Sequence, residues 1–144
     1  MYNGSMNEIE KALENMGAKA FSVSLGGHEI QSHLLNVREE FQVNRLCRDF
    51  EGTLAYPSAL KTATFALSTD VIDGEPFFTA LQNDSDQTAM ARFRKAQGFY
   101  RGVIEAWWGA YDENAVSEAE AIANLKKKSV KPSKKASEKS QGNA

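Results

Sequence analysis

Residues 86–111 are the stretch that most restricts the fold of this chain. They contain no proline and carry six aromatic side chains. Asp84 or Ser85 can cap the start of a helix here, because a short side-chain oxygen satisfies free backbone N–H groups. The large apolar residues recur at steps of three, four or seven, the period of one helical face: Met90, Phe93, Tyr100, Ile104, Trp107 and Tyr111. The pattern predicts one helix over 86–111, about 39 Å long at about 1.5 Å per residue.

A β-hairpin is predicted near the N-terminus, over about residues 21–34. Residues 21–25 alternate apolar and polar side chains, and Gly26-Gly27 suits the positive φ angles of a two-residue turn. The register pairs Leu25 with His28, Val23 with Ile30, and Phe21 with Ser32. Because a lone hairpin is marginal in water, we expect it to pack on the helices or to join the sheet of another chain.

Capping patterns mark the other helices. Ser5 with Glu8 and Asn36 with Glu39 have the spacing of a capping box, and Pro57 suits a first helical turn. The first helix is expected to end at Gly17, and the second has a predicted buried stripe of Val37, Phe41, Val43, Leu46, Cys47 and Phe50. The predicted fold is mainly α with a small N-terminal β-hairpin (α+β), a helical bundle around one long C-terminal helix.

Charge is distributed unevenly along the chain. Residues 126–144 hold seven lysines and one acid (+6), whereas residues 1–125 hold 10 basic and 18 acidic residues (−8). Ser117 opens a possible short helix that reaches the lysines. Beyond it, too little apolar surface remains to offset the entropy of ordering. We predict one domain over 1–125 and a disordered basic tail over 126–144.

The composition does not fit a membrane protein or a disulfide-rich secreted one. No apolar run approaches about 18 residues, and the first residues lack a signal-peptide pattern. A single cysteine cannot form an intramolecular disulfide, which fits a reducing compartment. We therefore expect a cytoplasmic protein.

One conceivable nucleophile is present, Cys47, with His28 or His33 as its base. Cys47 lies on a predicted apolar stripe, where cysteine behaves as a small hydrophobic residue. The histidines are five apart on one strand and so point to opposite faces, which disfavours a shared metal. We expect no enzyme and no cofactor.

Three acids surround Gly74: Asp70, Asp73 and Glu75. Their spacing does not match a calcium-binding loop, which needs oxygens at positions one, three and five and glutamate at twelve. Asp73 is better explained as a turn residue. We expect no bound metal.

Three stretches between residues 20 and 111, taken in their order along the chain, form a pattern typical of one protein family. They are a hairpin with its following helix (FSVSLGGHEIQSHLLNVREEF), a small-residue helix leading to an Ile-Asp-Gly-Glu-Pro turn (TATFALSTDVIDGEPFF), and an aromatic helix end (GFYRGVIEAWWGAY). In this order the chain resembles the tail assembly chaperones of long-tailed bacteriophages. Genes of that family often carry a programmed frameshift, and Lys126–Lys128 could be encoded by a slippery run of adenines.

The resemblance implies a non-enzymatic protein that acts in the host cytoplasm and is absent from the mature virion. Such chaperones coat the tape-measure protein, keep its hydrophobic helices soluble and help recruit tail-tube subunits. A homo-oligomer could form through the hairpin edge. The expected partner contacts are the exposed members of one aromatic set, whose alternative role is core packing: Phe77, Phe78, Phe99, Trp107, Trp108 and Tyr111.

Two other functions remain open from the sequence. The chain could be a small regulatory protein whose lysine-rich tail binds nucleic acid, although an acidic body repels phosphate. It could also be a small enzyme that uses Cys47. Deleting residues 126–144 distinguishes the first alternative from the chaperone, and Cys47→Ala tests the second.

Overall fold

The computed structural model describes the backbone of residues 2–15, 19–79 and 85–143. Its helices are α1 (Tyr2–Asn15), α2 (Val37–Leu46), α3 (Tyr56–Ser68), α4 (Asp86–Ala96) and α5 (Arg101–Asn143), with a 3₁₀ turn at Arg48–Phe50. Its strands are β1 (Ala20–Leu25), β2 (His28–His33), β3 (Thr69–Ile72) and β4 (Glu75–Pro76). The mainly α class with a small sheet near the N-terminus is confirmed.

The sheet is antiparallel, in the order β1-β2-β3-β4. The hairpin has the predicted register, from Leu25 opposite His28 to Ala20 opposite His33, and both turn glycines have positive φ. The sequence also predicts the turn at Asp73-Gly74, but not the strands β3 and β4 that it joins. Those strands are only four and two residues long, too short to show an alternating pattern.

The second helix begins as predicted, with a capping box between Asn36 and Glu39. Its predicted apolar stripe is wrong in part. Val43, Leu46 and Cys47 are buried, whereas Val37 and Phe41 are exposed, by 62% and 57%. The reason is angular, because Phe41 and Val43 lie about 200° apart on an α-helix and cannot share one face.

The single helix predicted over 86–111 is also wrong, because the chain breaks between α4 and α5. The Gly98 N–H bonds to the carbonyl of Lys95 and the Phe99 N–H to that of Ala96, which tightens the end of α4. The turn brings the Phe99 ring to 5.2 Å from that of Phe65. Tyr100 is left 85% exposed and Met90 39% exposed, although both were expected on the buried face.

α5 continues through Asn143 and so includes the backbone of the lysine-rich segment. It also includes the short helix expected from Ser117. Lysine, alanine and glutamate are strong helix formers, and extending an existing helix avoids the cost of nucleation.

The chain divides into two compact units. The first, Ala18–Asn114, contains the sheet, α2 to α4 and the beginning of α5; the second comprises Met1–Gly17 and Ala115–Ala144. The described side chains of α1, residues 7–14, are all exposed, including Ile9 and Leu13. α1 begins at Tyr2, before the predicted cap at Ser5, and its predicted end at Gly17 lies outside the described residues.

Candidate functional site

The unit Ala18–Asn114 is built around Trp107, which is fully buried. Its ring lies 5.2 Å from that of Phe65, edge to face, and its Nε1–H donates a 2.9 Å hydrogen bond to Ser32 Oγ. Burial of the indole leaves no hydrogen-bond donor unpaired, because its one polar atom has a partner. We call Trp107 and the buried residues around it the Trp107 core: Val23, Ile30, Phe65, Ala66, Phe77, Ala96 and Ile104.

Two of the six predicted partner contacts belong to this core. Trp107 is 0% exposed and Phe77 is 2% exposed, so neither side chain is accessible to a partner. Both are core residues because the helix and the turn that carry them direct their rings toward Phe65. The other four predicted contacts are half-buried: Phe78, Phe99, Trp108 and Tyr111.

Trp108 and Tyr111 form one wall of an open groove of about 260 Å³ between α2, α3 and α5. Their rings stack, with centroids 5.6 Å apart and planes inclined by 19°. The groove, which we call the α2 groove, is lined by these two rings and by Leu35, Glu40, Val43, Asn44, Leu60 and Thr64. It brings together two of the six aromatic residues predicted as partner contacts, Trp108 and Tyr111, with side chains that the sequence did not single out.

The Tyr111 hydroxyl fixes one end of the α2 groove. It accepts a 3.2 Å hydrogen bond from the Leu35 backbone N–H, just before α2 begins. Burial is the main reason that the pKa of Tyr111 is raised above its usual value. The hydroxyl is therefore neutral at physiological pH, and it joins α5 to the start of α2.

Val37 and Phe41 extend the apolar surface beyond the groove. They are four residues apart on α2 and share its outer side, next to Asn44, which lines the groove. Both residues were predicted to lie on the buried stripe of α2. The sequence did contain a signal that they are exposed. Val37 and Phe41 together with Val43, Leu46 and Cys47 cover too wide an angle for one helical face.

A second cavity, of about 330 Å³, is polar and lies among β2, α2, β3 and α4. His33 donates from Nδ1 to Asp70 over 2.9 Å and from Nε2 to Glu39 over 3.0 Å. The hydrogen bond to Asp70 and then that to Glu39 raise the pKa of His33 to about 9, against the opposing effect of burial. His33 is therefore a charged link between β2, β3 and α2.

Arg92 lines the same polar cavity. Its Nε donates to the carbonyl of Ala66 over 2.8 Å, and a terminal nitrogen donates to the carbonyl of Thr69, both at the C-terminal end of α3. Burial lowers the pKa of Arg92, and its guanidinium lies 6.0 Å from the centre of the Phe78 ring. His33 and Arg92 thus hold secondary-structure elements together around this cavity.

Cys47 is fully buried, and burial raises the pKa of its thiol to about 11. A thiol with such a pKa is almost wholly protonated at neutral pH and is a poor nucleophile. His28 hydrogen-bonds to Asp73 instead of a thiol. Asp73 also accepts from the Glu29 N–H, and this bond, followed by that from His28, lowers its pKa. Asp73 therefore joins two turns of the sheet.

Within the described side chains, no three His, Cys, Asp or Glu residues come together as a group that could hold a metal ion. Among the helices in the described part of the chain, none combines the length and hydrophobicity needed to cross a membrane. Comparisons of the chain with protein families, with curated proteins and with solved structures found no match.

Proposed function

We propose that this chain is a tail assembly chaperone of a long-tailed bacteriophage, and that it binds an apolar helical segment of the tape-measure protein in the α2 groove. The observation that carries the proposal is the half-buried Trp108–Tyr111 stack beside the exposed Val37 and Phe41. Large aromatic side chains at an open groove bury much area on binding at a low cost in side-chain entropy.

The lining of the α2 groove is suited to an amphipathic helix. It combines apolar side chains with the polar Glu40, Asn44 and Thr64. A helix that presents apolar side chains at steps of three and four would place them on Val43, Leu60 and the aromatic stack. Amphipathic helices of a tape-measure protein have this pattern, as the family resemblance implies.

The order of elements supports the proposal, because the family resemblance depends on that order. A hairpin leads into a capped helix, a small-residue helix leads into the Asp73-Gly74 turn, and an aromatic segment opens the last helix. The acidic charge of residues 1–125 would keep a complex with an apolar partner in solution. Recruitment of tail-tube subunits in the host cytoplasm belongs to the same proposal.

Co-expression with the tape-measure protein encoded in the same genome tests the proposal. We expect the wild-type chain to bring the tape-measure protein into the soluble fraction and to co-purify with it. Asn44→Arg, which fills the α2 groove from an exposed position on α2, should reduce the co-purified amount severalfold. Gln87→Arg introduces the same charge at an exposed position on α4 and should leave it unchanged.

Deleting residues 126–144 separates this function from nucleic-acid binding through the lysines. A chaperone that uses the α2 groove retains its partner after the deletion. A nucleic-acid-binding protein loses salt-sensitive binding, because each lysine–phosphate contact releases counterions. A tape-measure protein that stays insoluble with the full chain, or equal binding by the two arginine variants, contradicts the proposal.

A further inference from the structure

The backbone groups on the outer edge of β1 follow a definite pattern and have no strand partner among the residues that the structure describes. The two-residue turn makes Leu25 and His28 a hydrogen-bonded pair, so the odd-numbered residues of β1 direct their N–H and C=O groups toward β2. The Leu34 N–H accordingly bonds to the carbonyl of Lys19. The even-numbered residues Ala20, Ser22 and Ser24 therefore direct theirs outward, where the described residues supply no strand.

This edge lacks the features that usually prevent edge strands of two chains from pairing. β1 contains no charged residue, no proline and no irregularity in its register with β2. Natural edge strands generally carry a lysine, a proline or a bulge that blocks pairing with another chain. The exposed face of β1 presents only Ala20, Ser22 and Ser24, which are too small to obstruct a neighbouring strand.

We propose that two copies of this chain pair through β1, antiparallel about a twofold axis at Ser22, to form a continuous eight-stranded sheet. Only residues with outward-directed groups can form hydrogen-bonded pairs at this edge. The register with the twofold axis at Ser22 pairs all three of these residues. It places Ser22 opposite Ser22 and Ala20 opposite Ser24 of the second copy. Three such pairs supply six main-chain hydrogen bonds.

The same register matches the other face of the strand. It sets Phe21 of one copy opposite Val23 of the other in a close, non-hydrogen-bonded pair. Phe21 and Leu25 are half-buried in the single chain and gain apolar neighbours in the pair. Lys19 falls opposite Leu25, so the register places no like charges directly against each other. A second copy therefore supplies hydrogen-bonding partners for the outward backbone groups of β1 and apolar neighbours for Phe21 and Leu25.

Cross-linking tests the register in the full chain. We expect Ser22→Cys to form a disulfide-linked dimer on mild oxidation, because hydrogen-bonded antiparallel partners have Cα atoms about 5.5 Å apart. Ser24→Cys lies on the same exposed face, but its counterpart is displaced by four residues, about 13 Å at about 3.3 Å per residue, and should not cross-link. The buried Cys47 does not compete.

Analytical ultracentrifugation tests the dimer itself. The wild-type chain should show a monomer–dimer equilibrium. Ser22→Lys places two ammonium groups at the twofold axis and should raise the dissociation constant about fivefold or more. Gln31→Lys puts the same charge on β2, opposite Ser22 but one strand farther from the axis, and should raise the dissociation constant less. Far-ultraviolet circular dichroism checks that each variant is folded.

Three results would overturn the proposal: a wild-type monomer at every concentration, equal cross-linking of the two cysteine variants, or a dimer that Ser22→Lys does not weaken. Because the pairing does not involve the α2 groove, loss of dimerisation in Ser22→Lys should leave tape-measure binding intact. A failure of either proposal can thus be recognised separately.

Discussion

Trp107 and Trp108 are neighbours on α5, yet they belong to different regions of the molecule. Trp107 is enclosed in the Trp107 core and hydrogen-bonded to Ser32, whereas Trp108 is half-buried beside Tyr111 in the α2 groove. The difference arises because consecutive residues on a helix point about 100° apart. One helix can thus stabilise the unit with one ring and leave the next ring accessible to a partner.

The largest difference between the two regions should be in stability. Trp107→Ala empties a fully enclosed site and leaves Ser32 without its hydrogen-bonding partner, so we expect the free energy of unfolding to fall by about 3–5 kcal/mol. Trp108→Ala should lower it by less than half as much, because its ring is partly in solvent. Urea denaturation followed by circular dichroism measures both. Equal losses would contradict the assignment of the two regions.

A pH-dependent link between the regions is the next largest effect. His33 on β2 bonds to Glu39 on α2, and its pKa is raised to about 9 from about 6.5. Because the folded-state pKa is the higher one, the stabilisation is fully present below about pH 6.5 and is lost as the pH rises through about 9. We expect a loss on the order of 1–3 kcal/mol over this range.

Denaturation curves at pH values across that window measure the loss attributed to His33. His33→Gln should flatten the pH dependence of the free energy of unfolding between pH 6.5 and 9. His28→Gln alters an exposed histidine on the same strand and should leave most of the dependence in place. Should His33→Gln keep the full wild-type slope, the link between β2 and α2 would not depend on the charge of His33.

Tyr111→Phe should give a smaller change that is confined to the α2 groove. It removes the hydroxyl that accepts from the Leu35 N–H but keeps the ring stacked on Trp108. We expect a loss of about 0.5–1.5 kcal/mol in the free energy of unfolding, the usual net worth of one hydrogen bond. Amide hydrogen exchange should show faster exchange at Leu35 while residues of the Trp107 core stay protected. Faster exchange throughout both regions would mean that the groove is not separable from the core.

Phe41→Ser should have the smallest effect on stability and the clearest effect on binding. The side chain is largely exposed, so its replacement should change the free energy of unfolding by less than about 0.5 kcal/mol. If the surface beside the α2 groove contacts the tape-measure protein, co-purification should fall. Tyr100→Ser is the matched control, an exposed aromatic residue outside the groove. Equal losses of binding in Phe41→Ser and Tyr100→Ser would mean that the surface beside the α2 groove is not the specific binding site.

Much of the fold could be predicted from local patterns. The hairpin register, the capping box at Asn36 and the helical character of residues 86–96 and 101–111 follow from spacing within a few residues. The candidate site could be predicted only in part. Trp108 and Tyr111 were singled out, but so were the buried Phe77 and Trp107, while Val37 and Phe41 were predicted to lie on the buried stripe of α2.

The sequence by itself determined which segments become helix or hairpin, because capping, turn chemistry and periodicity act between residues close in the chain. Only the tertiary structure decided where the long helix breaks, which tryptophan is enclosed and which side of α2 faces solvent. Those outcomes depend on packing between segments far apart in the chain. The Ser32–Trp107 hydrogen bond and the Phe65–Phe99 contact are examples that no local pattern encodes.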